Sequence, residues 1–189
     1  MIKNNPFEVC PEYETKNYLI TKIKIEDAED LFEVYSDSTT RKHMNNDNCG
    51  GEWPCSSLEV VQRGIKSWEN EYDDKYYIRW TITQKSNLKS IGTMELAPAP
   101  GRLRFFDGVC NTGILRLDIK SELETTEVFS EIYSMTNIEM IDYFGIEKII
   151  TKGNPEEVER VKGLEMSKYK RLPDNEIVPF SNYYISYKW

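Results

Sequence analysis

Two carboxylates stand where proton chemistry is conceivable. Glu95 lies between Met94 and Leu96 in the run Ile91 to Leu96, and apolar flanks raise a carboxylate's affinity for a proton, which suits it to general-base work. A solvated carboxylate on a strand accounts for the same residue with no chemistry at all. Asp118, between Leu117 and Ile119, carries the same two readings. Asn154 precedes Pro155, Glu156 and Glu157; its side chain could hold a ligand, or cap a helix that begins at the proline. His43 is the only histidine, set in Arg41-Lys42-His43-Met44, which excludes a multi-histidine metal site. No G-x-S-x-G turn completes a hydrolase around it, so a structural histidine, half-buried or at the surface, is expected. Cys10, Cys49, Cys55 and Cys110 form no C-x-x-C pair, and four reduced, metal-free thiols are expected.

The apolar pattern supplies the elements that must position these groups. Leu19, Thr21, Ile23 and Ile25 alternate as in a half-buried strand. Asp27 opens a helix with Ala28, Leu31, Phe32 and Tyr35 on one stripe. A polar loop from Asn45 to Gly51 follows. Ser56 and Glu59 then have capping-box spacing, ahead of a second stripe of Leu58, Val61, Ile65 and Trp68. Tyr77 to Thr83 alternates Ile78, Trp80 and Ile82 with polar residues, and Ser86-Asn87 turns that strand into another from Ile91 to Leu96. Pro98, Pro100, Gly101 and Gly108 break the next stretch, with Leu103 and Phe105 as a short strand extension.

Gly113 to Ile119 is a further strand, with Leu115, Leu117 and Ile119 on one face. Phe129, Ile132, Tyr133, Thr136, Met140 and Phe144 define the longest helix, from about Thr126 to Phe144, and Gly145 is placed to end it. Ile146 to Thr151 is a strand parallel to Gly113 to Ile119, joined by that helix as the crossover parallel pairing needs. Asn154 to Glu157 starts a short helix, and strands around Tyr169 to Leu172 and Tyr183 to Trp189 close the chain. Trp68, Trp80, Tyr183, Tyr187 and Trp189 fall on core-facing positions, whereas Trp53, beside Pro54, does not.

Length and charge narrow the function classes. The 189 residues, 39% hydrophobic, suit one domain spanning 1–189. With 32 acidic against 24 basic residues and a formal charge of -8, a phosphate-neutralising nucleic-acid binder is disfavoured. No apolar run approaches the roughly 20 residues that span a bilayer, and Met1-Ile2-Lys3-Asn4-Asn5 lacks the parts of a signal peptide. A soluble cytoplasmic protein without a membrane partner is expected.

The order strand, helix, helix, three strands, helix, strand, helix, two strands covers nearly the whole chain and resembles the GNAT superfamily of N-acetyltransferases. Asp27-Ala28-Glu29-Asp30-Leu31-Phe32-Glu33-Val34-Tyr35-Ser36-Asp37 is similar to the first helix of the branch that acetylates ribosomal-protein N-termini. Ile91-Gly92-Thr93-Met94-Glu95-Leu96 is similar to its third strand, Phe144-Gly145-Ile146-Glu147-Lys148-Ile149 to its helix-to-strand turn, and Asn154 to the asparagine that often follows.

The resemblance implies an α+β, GNAT-like fold: a twisted mixed sheet of about six or seven strands with helices on both faces. It implies acetyl-CoA as cosubstrate, lying in a gap beside the Gly113 to Ile119 strand. Backbone N–H groups near Leu117, Asp118 and Ile119 would then face the thioester, and the pyrophosphate would sit at the start of the long helix on Thr125, Thr126 and Glu127, with Asn154 nearby. The acceptor would be an amine, on a small molecule or a protein N-terminus, with Glu95 as base, and the loop around Asn45 to Asn48 and Trp53 would border its groove. Tyr169 matches an aromatic position of the closing turn and reads as packing.

The family's phosphate loop carries glycines at the positions of Thr125 and Glu127, and no glycine occurs between Gly113 and Gly145. Asp118, Glu122, Glu124 and Glu127 crowd the same stretch with Lys120 as the only local cation, so weakened acetyl-CoA binding is expected. The alternative is a binding module on the same fold that has lost its cosubstrate.

Overall fold

The computed structural model describes residues 5–47, 53–98, 111–174 and 180–187. They gather into two compact units, Met1–Glu95 with Leu117–Leu123, and Leu96–Arg116 with Glu124–Trp189.

The first unit begins with β1 (Tyr13–Glu14), a strand absent from the sequence reading, paired antiparallel with β2 (Tyr18–Lys22). In β2 the buried positions are Tyr18 and Ile20, not Leu19 and Thr21. The period was right and the phase was wrong, because Ile23 lies past the strand and Ile25 opens an exposed single turn of 3-10 helix. α1 (Ala28–Ser36) buries Ala28, Leu31, Val34 and Tyr35. The unpredicted short helix α2 (Ser38–His43) follows at once, because the Asp37 side chain accepts the Thr39 N–H at 2.9 Å and caps it.

α3 (Leu58–Asp73) starts after Ser57 rather than Ser56, so the expected box does not form there; the Glu59 carboxylate takes a hydrogen bond from Ser57 instead. β3 (Ile78–Gln84) pairs antiparallel with β2, Ile82 opposite Ile20. β4 (Ser90–Ala97) comes next, and the strand order continues to the end of β5 (Thr112–Ile119). Both faces of β3 are buried. Pro11 and Tyr13 cover the Trp80 side, where the indole N–H donates to the Pro11 carbonyl at 2.7 Å. α1 and α3 build an apolar cluster of Leu31, Val34, Tyr35, Val61 and Ile65, against which Trp53 and Trp68 pack.

The second unit holds the expected parallel pair, β5 with β6 (Lys148–Lys152), Gly113 opposite Ile149 and Leu115 opposite Thr151. β8 (Tyr183–Tyr187) pairs antiparallel with β6 and with the two-residue β7 (Lys170–Arg171). Tyr187 is half exposed at the end of its strand, not core-facing as its spacing suggested. Eight strands therefore lie among the described residues.

The predicted long helix is α4 (Thr126–Met135), a π-helical stretch Thr136–Met140 and α5 (Ile141–Phe144), ended by Gly145 at φ 64°. α6 (Val158–Met166) starts later than Asn154-Pro155 suggested. The Asn154 side chain donates to the Glu157 carboxylate instead of capping, and the Glu157 N–H closes a turn onto the Asn154 carbonyl at 2.9 Å. Cys10 and Cys55 are free thiols. Cys49, Cys110 and Trp189, the tip of the Asn45 to Gly51 loop, and the breaks and strand extension proposed for 100–108 lie outside the described residues.

Candidate active site

In the first unit, strand alternation sends Arg79 of β3, Thr93 and Glu95 of β4 and Asp118 of β5 to join Tyr35 of α1. Gly92 permits the assembly: a Cβ there would stand 1.9 Å from the Asp118 carbonyl oxygen, so only glycine lets β5 approach this closely. Arg79 Nη2 forms an ion pair with Glu95 Oε2. Its Nη1 lies 3.5 Å from Asp118 Oδ2 and donates to Thr93 Oγ1 at 3.1 Å and to Tyr35 Oη at 3.3 Å. The Tyr35 hydroxyl donates to Asp118 Oδ2 at 3.2 Å and lies 2.7 Å from Thr93 Oγ1. The guanidinium stacks 4.2 Å over the Trp68 ring, and Trp53 meets Tyr35 and Trp68 edge-on at 4.9 and 5.4 Å.

All four polar anchors are buried: Tyr35 at 0%, Glu95 at 3%, Asp118 at 5% and Arg79 at 7% exposure. Burial opposes the charge on Arg79, but Glu95, with Tyr35 and Asp118, outweighs it and holds the guanidinium above its ordinary pKa. Burial, then the Asp118 charge, pushes the Tyr35 phenol well up. Two carboxylates thus face one fixed cation in a place where charge is poorly screened.

The second unit gathers the start of α4 against α6. The Thr125 hydroxyl accepts the Val128 N–H at 3.3 Å. The Glu159 carboxylate takes the Thr126 N–H at 3.2 Å and also the Thr126 hydroxyl. Beside it, Arg160 lies 3.3 Å from Glu124 and pairs with Glu157, and its guanidinium rests 4.7 Å over the Phe129 ring. Glu124 thus has a cation other than Lys120, which in the first unit serves Glu122 at 3.0 Å and Glu33 at 3.4 Å. A phosphate at a helix start needs free N–H groups. Here a hydroxyl and a carboxylate of the chain already hold two of them, so as folded this end of α4 does not fit a pyrophosphate.

Glu95 and Asp118, separate in the sequence, thus meet on one guanidinium. Leu117 and Ile119 are buried apolar residues of β5. Thr125, Thr126 and Glu127 share the start of α4, and Asn154 sits in the turn before α6, 3.4 Å from the Asn182 amide. Trp53 packs on Tyr35 and Trp68. Tyr169 is buried, its hydroxyl 2.8 Å from Thr136 Oγ1. His43 is half-buried. Sequence reasoning missed Arg79, Tyr35, Glu159 and Arg160 as site residues. Nothing local marked Arg79, which takes the outward place of the alternation between Ile78 and Trp80; the only hint was distant, in the apolar stripes of the preceding α1 and α3, which need a sheet face to cover.

No family model matches the sequence, and no curated protein resembles it at a significant level. Solved structures do share its fold. A GNAT-family acetyltransferase from Bacillus anthracis is 16% identical, with a TM-score of 0.68 over 94% of this chain and 98% of that one. A ribosomal-protein-S5-alanine acetyltransferase from Vibrio fischeri is 11% identical, with a TM-score of 0.70 over 94% and 97%. A ribosomal L7/L12 alpha-N-protein acetyltransferase in complex with coenzyme A is 8% identical, with a TM-score of 0.67 over 94% and 98%. The chain has the fold of the GNAT acetyltransferases. No helix of the described residues is long and apolar enough to cross a membrane, and no group of metal-ligating side chains occurs among them.

Proposed function

We propose that this chain, folded as a GNAT acetyltransferase, transfers an acetyl group from acetyl-CoA to an amine carried by a small molecule or a protein N-terminus. The observation that carries the reading is the pairing of Glu95 and Asp118 around Arg79, an excess of negative charge in a buried setting. An amine arrives as an ammonium, is drawn toward that charge, and must lose a proton before its nitrogen can act as a nucleophile. The linked hydroxyls of Tyr35 and Thr93 offer a route for the proton to the Asp118 carboxylate. Arg79 fixes both carboxylates in place. Acetyl-CoA, when bound, supplies the activated acyl group. The net charge of -8 suits a cationic acceptor, and the cytoplasm is the compartment that the sequence suggests.

Release of free thiol from acetyl-CoA tests the reading, with a polyamine or a peptide bearing a free N-terminus as acceptor. Turnover is expected with at least one acceptor, falling about a hundred-fold in Asp118→Asn. No thiol release with either acceptor at millimolar acetyl-CoA defeats it.

The second reading is a binding module on this fold that has lost acetyl-CoA, and the carboxylate of Glu159 on Thr126 favours it. A thermal-shift titration separates the two, since a ligand at a hundredfold excess over its dissociation constant stabilises by about 2.7 kcal/mol. A shift seen only in the Thr125→Gly, Glu127→Gly double variant supports the binding module.

A further inference from the structure

The far ends of α4 and α6, away from Thr126 and Glu159, border a small cavity of about 130 Å³, lined by Ser134, Asn137, Ile138, Met166, Ser167 and Lys168. The π-helical stretch Thr136–Met140 supplies Asn137 and Ile138, and the Thr136 hydroxyl ties it to the Tyr169 hydroxyl at 2.8 Å. Stretches of this kind recur at functional sites. The amide and hydroxyl donors of the wall are spent within it. Asn137 Nδ2 donates to the Ser167 carbonyl at 2.7 Å, and Ser167 Oγ donates to the Ser130 carbonyl at 3.0 Å. With its one proton engaged, Ser167 Oγ accepts from Ser134 Oγ, 3.1 Å away. A carbonyl cannot donate, so the Asn137 amide is fixed with its nitrogen toward Ser167 and its oxygen turned away. That oxygen, Oδ1, is buried and has no hydrogen-bond partner, an uncommon and costly state for an acceptor.

We propose that this cavity binds a small uncharged compound that pairs a hydroxyl or primary amide with a short alkyl body, donating to Asn137 Oδ1 and resting its apolar part between Ile138 and Met166. The chemistry of the wall selects this class. An anion would set its charge against the orphan oxygen. An ammonium would find about half a negative charge at the end of α6, against the full positive charge of Lys168, which lines the cavity and takes the left-handed turn after the helix at φ 65°. A hydrocarbon would leave Oδ1 unpaired. Ile138 and Met166 are 75% and 66% exposed, so they part without opening the core, admit the donor to the buried oxygen and close on the alkyl body. The unbranched thioether of Met166 adapts to its shape. A cavity of roughly 150 Å³ holds benzene, so about five heavy atoms suit this one. The site stands at the other end of α4 from Thr125, Thr126 and Glu127, and does not rest on the acetyltransferase reading.

Butan-1-ol tests the assignment on the full chain, beside methyl propyl ether, which matches its size and lacks a donor, and beside n-butylammonium and butyrate. Binding is read by NMR from the side-chain amide of Asn137 and the methyl group of Met166. Butan-1-ol is expected to shift both signals saturably with a millimolar dissociation constant, the scale open to so small a ligand. The other three are expected to bind at least about ten-fold more weakly, the mark of one lost hydrogen bond in a buried place. Asn137→Leu, close in size, should abolish the preference for the alcohol over the ether. Met166→Trp, a change at an exposed position, should fill the cavity and block both ligands, and it carries the test with the ether comparison if Asn137→Leu does not fold. No saturable shift, equal binding of alcohol and ether, or tighter binding of butyrate or butylammonium overturns the proposal. So do binding that survives Met166→Trp, and an ordered water on Asn137 that butan-1-ol fails to displace.

Discussion

The two units use the same chemical parts, arginine, carboxylate and hydroxyl, to opposite ends. Around Arg79 the parts come from two adjacent strands, a third strand and a helix, all closed to water. Around the start of α4 they come from two helix ends, and the deciding carboxylate is half in solvent. A buried charge left without its partner is costly because neither water nor salt can replace that partner. An exposed carboxylate can leave, because water takes its place. The first arrangement is therefore suited to holding groups in fixed positions, and the second to a contact that water can replace.

The sharpest way to break this contrast is to remove the cation from the first unit. Arg79→Met leaves Glu95 and Asp118 facing each other without a counter-charge, and should lower stability by about 3–5 kcal/mol in a denaturant titration. Adding Glu95→Leu and Asp118→Asn to that variant should recover much of the loss, since it removes every unpaired charge from the buried cluster. A loss under 1 kcal/mol in Arg79→Met would mean that the cluster is hydrated and the contrast false.

In the second unit the largest loss should come from packing rather than charge. Gly163→Ala places a methyl group 2.4 Å from the Phe129 Cβ, and the overpacking should cost about 1–3 kcal/mol. Because it pushes α6 away from α4, it should also speed exchange of the Thr126 amide. Stability lost without faster exchange at Thr126 would show that the helix contact and the Glu159 hydrogen bond are independent.

How far the sequence disclosed this contrast depends on the range of the interactions. Local patterns placed most elements, the parallel pair and the end of the long helix at Gly145, because periodicity and a left-handed turn residue act over a few positions. They failed where a polar residue had a distant partner. Alternation marks Arg79 as outward-facing, and nothing near it in the chain says that α1 and α3 cover that face. Glu95 and Asp118 were legible as candidate groups, but their shared guanidinium was not. Asn154-Pro155-Glu156-Glu157 reads as a helix start, yet Arg160 and Asn154 both take hold of Glu157 and the helix begins only at Val158. Glu159 gave no signal at all, since its partner Thr126 lies in another helix.

The smallest expected effect compares two carboxylates at helix starts, one in each unit. Asp37 caps its own helix, accepting from the Thr39 N–H, from the Thr40 hydroxyl at 2.8 Å and from the Ser121 hydroxyl. Glu159 instead serves a neighbouring helix. Burial would raise the Asp37 pKa, but the hydrogen bonds from Ser121, Thr39 and Thr40 prevail and hold it well below the usual carboxylate range. The folded state therefore binds this proton less readily than the unfolded chain, whose aspartates titrate near about 3.9. The contribution is complete above that pH and is lost as pH falls toward the folded value. Asp37→Asn should cost about 1 kcal/mol at neutral pH, the scale of a solvent-screened helix cap. The gap between it and the unmutated chain should narrow once the pH drops below about 4. Glu159 is also lowered, by its bonds from Thr126 and Lys162, so Glu159→Gln should show the same sign of pH dependence with a smaller amplitude, because its bonds reach another helix and an exposed lysine rather than the first turn of its own helix. Denaturant midpoints measured from neutral pH down to the acid transition give both gaps. A gap for Asp37→Asn that widens on acidification would reverse the assigned sign, and a larger amplitude for Glu159→Gln would make Glu159 the more tightly held of the two carboxylates.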